Sequence, residues 1–198
     1  MLGAPLARMG YQEMVRKELM PHNLDAVART GTKALVTACA ECYRSFARDY
    51  KDWGGNPPFS VFHISHFLEK LVREKRITFT KPIPQSVVFH DACHMGRVCD
   101  TFDPPRQALK FIKDLKLLEI LPMREEALCS GGGGGFPDVY PAQAANVASR
   151  RIEAAVNTGS NTIVTTCPHA EMHFDKIAKQ RNMQISIVDL AEMVAQAL

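Results

Sequence analysis

Residues 30–46 read TGTKALVTACAECYRSF, and residues 158–174 read TGSNTIVTTCPHAEMHF. The two stretches align without a gap at a constant offset of 128 residues. The identical pairs are Thr30 and Thr158, Gly31 and Gly159, Val36 and Val164, Thr37 and Thr165, Cys39 and Cys167, and Phe46 and Phe174. An ungapped internal match of this kind predicts a duplicated structural unit. Because each copy ends an apolar run with a cysteine, the duplication is expected to have copied chemistry together with fold.

The remainder of the chain alternates between β-type runs and helical segments. The predicted strands are residues 34–38, 60–64, 87–90, 116–121, 162–166 and 184–188. The predicted helices are residues 4–29, 40–50, 65–73 with Ser65 as N-cap, 105–113, 141–158, 169–180 and 189–197. Strands that alternate with helices indicate parallel pairing with right-handed crossovers, and therefore an α/β fold. We expect two similar duplicated units with parallel strands and flanking helices, separated by a linker that contains Pro82 and Pro84.

Composition narrows the class of protein. The net charge is only +3 and the basic residues are scattered, which argues against a nucleic-acid-binding surface. No apolar stretch approaches the roughly 18 residues of a membrane span, and the first ten residues lack the apolar middle of a secretory signal. We therefore expect a cytoplasmic protein without a membrane span. The cytosol keeps cysteines reduced, so the six cysteines predict metal binding, redox chemistry or packing.

Three cysteines follow predicted strands: Cys39 comes after ALVTA, Cys93 after VVFH and Cys167 after TIVTT. The carboxyl ends of parallel strands are where α/β folds place their ligand sites. Cys129 precedes the glycine run 131–135, whose backbone can approach a bulky group closely and donate N–H groups to anionic sulfur. Soft thiolates that converge on one crevice predict an iron–sulfur cluster or a zinc ion.

Three stretches resemble a known family. HDACHMGR (90–97), LCSGGGGG (128–135) and TTCPHA (165–170) are similar to the cysteine-rich CCG domain of heterodisulfide reductase catalytic subunits. The same domain occurs in iron–sulfur subunits of glycolate, lactate and glycerol-3-phosphate oxidation. Its pattern is a cysteine, a gap, Cys-Cys-Gly, a similar gap and Cys-x-x-Cys, usually present twice. Here 35 residues separate Cys93 from Cys129, and 35 separate Gly131 from Cys167.

The resemblance implies a domain division and a set of metal ligands. MLGAP at the start resembles a displaced Cys-Cys-Gly-Ala-Pro, so residues 1–80 are expected to be the C-terminal part of a first CCG unit and residues 87–198 a second. The implied metal ligands are Cys93, Cys129 and Cys167 in the second unit, with Cys39 and Cys42 serving the first. The implied cofactor is a [4Fe-4S] cluster, with the backbone of Gly131, Gly132 and Gly133 donating hydrogen bonds to its sulfurs.

The sequence departs from the family pattern at two positions. Ser130 stands where the family has its second adjacent cysteine, and Ala170 stands where the last cysteine belongs. The three remaining thiolates leave open a cubane cluster with one open iron, or one with Ser130 or His169 as a further ligand. They also leave open a degenerate site without metal.

The function implied by the resemblance is that of an iron–sulfur redox subunit. It would transfer electrons between a donor or quinone-linked partner and a thiol/disulfide or hydroxy-acid couple. The implied partners are a ferredoxin-like iron–sulfur segment or subunit and a membrane or flavin partner, through which the protein would associate with a membrane.

Other functions compete with this interpretation. A metal-free structural or assembly subunit would explain the missing thiols. A zinc-binding protein would use Cys93, Cys129 and Cys167 with His94 or His169. Cys39-Ala-Glu-Cys42 also resembles a thioredoxin-type redox pair. Finally, His90 and Asp91 suit either a proton relay beside Cys93 or a hydrogen-bonded turn, of which the turn is the commoner.

Overall fold

The computed structural model describes residues 2–198 and contains parallel strands and helices, which confirms the α/β class. The strands within that range are β1 (Ala34–Thr37), β2 (Ser60–His63), β3 (Ser86–Phe89), β4 (Lys116–Glu119), β5 (Thr162–Thr165) and β6 (Ser186–Asp189). They form a four-stranded sheet in the order β4-β3-β5-β6 and a two-stranded sheet of β1 and β2.

Helices connect these strands. They are α1 (Met20–Ala28), α2 (Ala40–Arg44), α3 (Ile64–Arg73), α4 (Gly96–Cys99), α5 (Asp103–Lys110), α6 (Phe136–Val139), α7 (Pro141–Val156), α8 (Pro168–Gln180) and α9 (Leu190–Ala197). Short α and π turns precede α1 as Ala4–Leu6, Ala7–Tyr11, Gln12–Met14 and Val15–Leu19, and others continue α2 as Ser45–Asp49 and Tyr50–Asp52. No helix of the described residues is long and apolar enough to cross a membrane.

The two sheets share one pairing pattern. In the small sheet Ala34 pairs with Ser60 in parallel, and in the large sheet Thr162 pairs in the same way with Ser186. Because Thr162 follows Ala34 by the repeat offset, β1 and β2 correspond to β5 and β6. This is the arrangement that a duplicated unit would give. The duplication and its division into residues 1–80 and 87–198 stay predictions.

The large sheet is buried on both faces, which explains why its central strands are continuous apolar runs. Val88 and Ile163 pack on one face against α7 and α8, whose buried residues include Ile152 and Phe174. On the opposite face, the buried residues are Val87, Phe89, Val164, Leu109 of α5 and Leu190 of α9. The sheet therefore holds the carboxyl ends of β3 and β5 in fixed positions, side by side.

Hydrogen bonds to one carbonyl join the two sheets. The Thr166 carbonyl accepts a hydrogen bond from the Ala40 backbone N–H at 3.1 Å and contacts the Nε2 of His63 at 3.2 Å. These contacts bring the residue after Cys39 against the residue before Cys167.

His63 also caps α3. Its Nδ1 accepts the Ser65 backbone N–H at 3.2 Å, and its own backbone N–H donates to Nδ1 of His66. The expectation that Ser65 caps this helix was therefore wrong, because the helix begins at Ile64 and the imidazole of the preceding residue reaches the free backbone N–H.

Candidate metal centre

Three of the predicted ligands line one small cavity. Cys93 follows β3, Cys167 follows β5, and Cys129 arrives in the loop beyond β4, so the strand order brings the three residues to the same edge of the sheet. The sulfur atoms of Cys93 and Cys129 lie 3.9 Å apart. Ser130 and Gly133 line the same cavity. The expected convergence of Cys93, Cys129 and Cys167 is thus present in the structure.

A second group of donors adjoins the first. The sulfurs of Cys39 and Cys167 and a ring nitrogen of His169 all lie within 4.8 Å of one another. Cys42 is the next thiol, and its contact with Cys39 lowers the pKa of Cys39. The Thr166 carbonyl holds the end of β1 beside the end of β5, so Cys39 lies beside Cys167. The assignment of Cys39 and Cys42 to the first unit stays a prediction.

The environment of the first pair favours one thiolate. The Cys93 thiol lowers the pKa of Cys129, burial opposes this, and the backbone N–H of Gly131, 3.3 Å from the Cys129 sulfur, lowers that pKa further. The contact with Cys129, together with burial, raises the pKa of Cys93. The guanidinium of Arg97 lies close enough to stabilise negative charge on either sulfur. Since metals bind the thiolate form of cysteine, these contacts favour binding of a metal ion by this pair.

The second group also favours one thiolate. Contacts with the thiols of Cys167 and Cys42 lower the pKa of Cys39 against the opposing effect of burial. Its contact with Cys39, and then burial, raises the pKa of Cys167. A bound metal would replace these shared protons with its own positive charge.

The glycine run packs closely on its surroundings. A Cβ added at Gly132 would lie 2.4 Å from the carbonyl oxygen of His169, and one at Gly131 would lie 2.7 Å from that of Ala144. Gly131 also has a φ of +75°, a conformation that favours glycine. Close packing of the loop on α7 and α8 therefore accounts for these two glycines, and the Gly131 N–H reaches a sulfur atom. The predicted cofactor-binding role of Gly131, Gly132 and Gly133 stays a prediction.

A buried carboxylate that the sequence analysis missed lies between the two groups of donors. Glu41 is 2% exposed. One of its oxygens lies 2.8 Å from Nδ1 of His169, and the other lies 3.7 Å from Nδ1 of His94 and 3.5 Å from the guanidinium of Arg8. The contacts are at ion-pair distance, although neither oxygen has a partner with the angles of a well-aligned hydrogen bond. Against the effect of burial, these partners lower the pKa of Glu41.

The signal for Glu41 in the sequence is weak. An acidic residue in the first turn of a helix is usually an exposed partner of the helix dipole. Its position inside Cys39-Ala-Glu-Cys42 is the one local feature that sets it apart. Its three cationic or imidazole partners come from distant positions in the chain.

His90 and Asp91 lie outside the thiol groups. The carboxylate of Asp91 accepts two hydrogen bonds from the guanidinium of Arg106, at 2.7 and 2.9 Å, and one from the backbone N–H of Arg124. His90 packs edge-on against Phe174 at a centroid distance of 4.9 Å. These contacts fit the interpretation that the pair fixes the chain after β3.

The donor set suits thiolate-bound metal chemistry. Five thiols and one imidazole gather at the ends of parallel strands, and a backbone N–H and an arginine face the sulfurs. Two thiolates on one tetrahedral metal ion lie about 3.8 Å apart, given metal–sulfur bonds of about 2.3 Å. The Cys93–Cys129 separation agrees with that value. The residues present therefore fit a thiolate-bound metal.

The chain matches the model of a cysteine-rich domain, CCG, over residues 3–47 and 87–175. It is similar to one subunit of the dihydromethanophenazine:CoB–CoM heterodisulfide reductase of Methanosarcina acetivorans, with 34% identity over 99% of this chain and 49% of that protein. It is also similar to the probable iron–sulfur-binding oxidoreductase FadF of Bacillus subtilis, with 30% identity over 96% of this chain and 27% of that protein.

A third relative is the EtfAB:quinone oxidoreductase of Syntrophomonas wolfei, with 27% identity over 99% of this chain and 28% of that protein. The chain thus spans about half, or less, of the length of these relatives. Among solved structures, the glutamate racemase RacE1 of Bacillus anthracis aligns with 91% of this chain and 65% of its own at 11% identity. Its TM-score of 0.37 is too low to support an argument about this protein.

Proposed function

Because the chain belongs to the cysteine-rich CCG domain family, we propose that it is an iron–sulfur redox subunit of the heterodisulfide reductase type. It transfers electrons between a donor or quinone-linked partner and a thiol/disulfide or hydroxy-acid couple. The observation that carries this proposal is the convergence of Cys93, Cys129 and Cys167 on one cavity, with Cys39 and Cys42 adjoining it.

The relatives support the choice of redox chemistry. Their names describe a heterodisulfide reductase subunit, an iron–sulfur-binding oxidoreductase and a quinone oxidoreductase. A ferredoxin-like iron–sulfur segment or subunit and a membrane or flavin protein are accordingly the proposed partners. The cofactor is an iron–sulfur cluster of the [4Fe-4S] type, held chiefly by Cys93, Cys129 and Cys167.

In this proposal the cluster supplies one-electron transfer, and the chain's own groups tune it. The Gly131 N–H donates to the Cys129 sulfur, and Arg97 stabilises negative charge on the Cys93–Cys129 pair. Hydrogen bonds and positive charge beside cluster sulfurs favour the reduced state and so raise the reduction potential. Cys167 is buried in the core cluster that includes residues of α7 and α8, which limits access of water to that thiol.

The test is a metal count on protein purified without oxygen. We expect about four irons and a matching amount of acid-labile sulfide per chain, a brown colour, and an electron paramagnetic resonance signal after reduction. A folded, colourless chain without metal would support the structural-subunit alternative instead.

A zinc site is the second candidate, and the distances between the thiols support it. The Cys93–Cys129 distance suits binding of both thiolates to one tetrahedral ion, and the Cys39–Cys167–His169 group suits another. Stoichiometric zinc in protein made with iron and sulfide supplied, and no acid-labile sulfide, would overturn the redox proposal in favour of a zinc site.

A further inference from the structure

The cavity of Cys93, Cys129 and Cys167 has no fourth thiol among the described residues that line it. Ser130 and Ala170, which also line it, stand where the family pattern has cysteines. Three thiolates alone leave one iron of a cubane cluster without a protein ligand. A set of four thiolates therefore requires a cysteine from elsewhere in the chain.

Cys39 is the thiol from elsewhere that lies beside the cavity. Its sulfur is within 4.8 Å of the Cys167 sulfur. Its side chain also packs against the buried core cluster that contains Ala92, Cys167 and Ala170, three residues that line the cavity. Cys39 therefore adjoins the cavity at the wall that Cys167 forms.

Backbone contacts fix the position of Cys39. Cys39 is the N-cap of α2, and Cys167 is the N-cap of α8. The backbone N–H of Ala40 donates to the Thr166 carbonyl at 3.1 Å, so a residue next to one thiol is hydrogen-bonded to a residue next to the other. The Nε2 of His63, at the end of β2, contacts the same carbonyl at 3.2 Å. The two thiols thus lie together because of hydrogen bonds between the two sheets, and not only because their side chains touch.

Cys42 and His169 line a different cavity. The described residues that share this neighbouring cavity with them are Leu2, Ala4, Pro5, Glu41 and Ser45. His169 lies within 4.8 Å of the Cys39 and Cys167 sulfurs, but its Nδ1 is 2.8 Å from the Glu41 carboxylate on the side of the neighbouring cavity. Cys42 is the one thiol among the described residues that line that cavity, so they do not offer a second set of thiolates there.

Ser130 is the remaining candidate inside the cavity of the three cysteines. Its hydroxyl accepts a hydrogen bond from the backbone N–H of Gly132 at 3.2 Å, which ties it to its own loop. A hydroxyl is also a harder donor than a thiolate, and iron–sulfur clusters favour soft thiolate ligands. Cys39 is therefore better suited than Ser130 to complete the ligand set.

We infer that Cys39 is the fourth protein ligand of the iron–sulfur centre, which thus takes one thiolate from residues 1–80 and three from residues 87–198. The inference departs from the assignment of Cys39 to a site of the first unit. Cluster binding then joins the end of β1 to the ends of β3 and β5. The inference rests on the proposed function, since it requires that the cysteines hold a cluster.

The experiment depends on how firmly each iron is held. An iron bound only by cluster sulfides is lost on oxidation more readily than one that also has a thiolate ligand. The chain is reconstituted with iron and sulfide without oxygen, treated with ferricyanide and desalted, and its iron content and electron paramagnetic resonance spectrum are measured. We expect the wild type to keep about four irons per chain.

Two alanine variants identify the ligand, because alanine cannot bind iron. Cys39→Ala should lose about one of four irons on oxidation and show the resonance signal of a three-iron cluster. Cys42→Ala is the matched control, since it removes the nearby thiol that lines the other cavity. It should keep the iron content and the spectrum of the wild type. Circular dichroism of the metal-free variants shows whether each is folded.

A measurement on the unaltered chain keeps the inference testable if a variant does not fold. Cluster-loaded and metal-free wild-type protein are treated with iodoacetamide, and the modified cysteines are identified by mass spectrometry. We expect loading to protect Cys39 together with the three cysteines of the cavity, because a thiolate bound to iron is not free to react. Cys42 and Cys99 should react as they do in the metal-free protein.

The outcomes separate the two claims. A wild type that already loses one iron on oxidation, or in which Cys39 stays reactive after loading, overturns the inference and leaves the proposed function standing. Full retention of iron by Cys39→Ala, or equal loss of iron from Cys39→Ala and Cys42→Ala, overturns it as well. A chain that binds neither iron nor sulfide contradicts the proposed function, and the inference fails with it.

Discussion

The sulfur atoms of Cys93 and Cys129 lie 3.9 Å apart although the residues are 36 positions apart in the chain. Parallel pairing of β3 with β4 produces this proximity, because the chain leaves both strands at the same edge of the sheet. A backbone N–H from Gly131 then points at one of the two sulfurs. The site is therefore a consequence of strand order, and its first test is to remove one of these sulfurs.

Replacing Cys129 with serine should abolish or strongly reduce iron binding without unfolding the protein. The hydroxyl keeps nearly the same volume but is a poor ligand for iron, and Cys129 is only partly buried outside the main core clusters. Iron content and far-ultraviolet circular dichroism, measured on the same sample, check both halves of the expectation.

Cys99→Ser is the matched control for Cys129→Ser. Cys99 ends α4 and lines neither the cavity nor the Cys39–Cys167–His169 group. Iron content should therefore stay at the wild-type level. Equal iron in both variants would show that Cys129 is not a ligand.

Replacing Gly132 with alanine should destabilise the loop. The new Cβ would lie 2.4 Å from the His169 carbonyl oxygen and 2.7 Å from the Cβ of His173, so the loop or α8 must shift. We expect a loss of about 1–3 kcal/mol in the free energy of unfolding, as for other overpacked sites. Because Cys167 directly precedes the first turn of α8, incorporation of the cluster should fall as well. Chemical denaturation and iron content are the measurements.

Gly133→Ala is the neighbouring control, one residue along the same run. Its added Cβ would make an ordinary contact of 3.7 Å with the His94 ring. It should change stability much less than Gly132→Ala does. If the two variants lose the same stability, the need for glycine in the run comes from backbone flexibility and not from close packing at Gly132.

The regular elements could largely be predicted from the sequence, and the reason is visible in their burial. Residues 162–165 are buried at every position, and their β-branched side chains mark β5 directly. The boundaries were less accurate. The helix expected at 105–113 is Asp103–Lys110, because prolines are tolerated in the first turn of a helix and do not delay its start.

The candidate site could be predicted only in part. Strand ends indicated Cys39, Cys93 and Cys167, whereas the approach of Cys39 to Cys167 depends on hydrogen bonds to the Thr166 carbonyl, which no local pattern reveals. Glu41 was missed for the same reason. It contacts His94 and His169, both more than 50 positions away in the chain.

Replacing Asp91 with alanine should cost about 3 kcal/mol of stability, near the lower end for breaking a buried ion pair. Arg106 is 4% exposed and would lose two hydrogen bonds, although Glu119 would still pair with it. The measurement is urea denaturation at neutral pH.

Asp103→Ala is the control, because the Asp103–Arg124 pair is at the surface and should contribute less than about 1 kcal/mol. Equal losses would mean that burial of the Asp91–Arg106 pair has no energetic consequence.

The stability of the metal-free protein should fall as the pH decreases from 7 towards 4, with His63 as one contributor. Burial lowers the pKa of this fully buried imidazole from 6.5 to about 4. Between these two pH values the unfolded chain binds a proton that the folded chain excludes, so the free energy of unfolding decreases as pH falls. A shift of this size corresponds to a loss of up to about 3 kcal/mol at pH 4.

The variant that tests this contribution is His63→Gln, which keeps a polar side chain beside Ser65 and the Thr166 carbonyl but cannot titrate. Its stability at pH 7 should be lower than that of the wild type, because the cap of α3 and the link between the sheets are weakened. Its loss of stability between pH 7 and pH 4 should be smaller. It should not vanish, because burial lowers the pKa of His90 to about 3 and that of His94 to about 4. Urea denaturation at several pH values measures both slopes, and identical slopes would show that His63 is not excluded from protonation in the folded state.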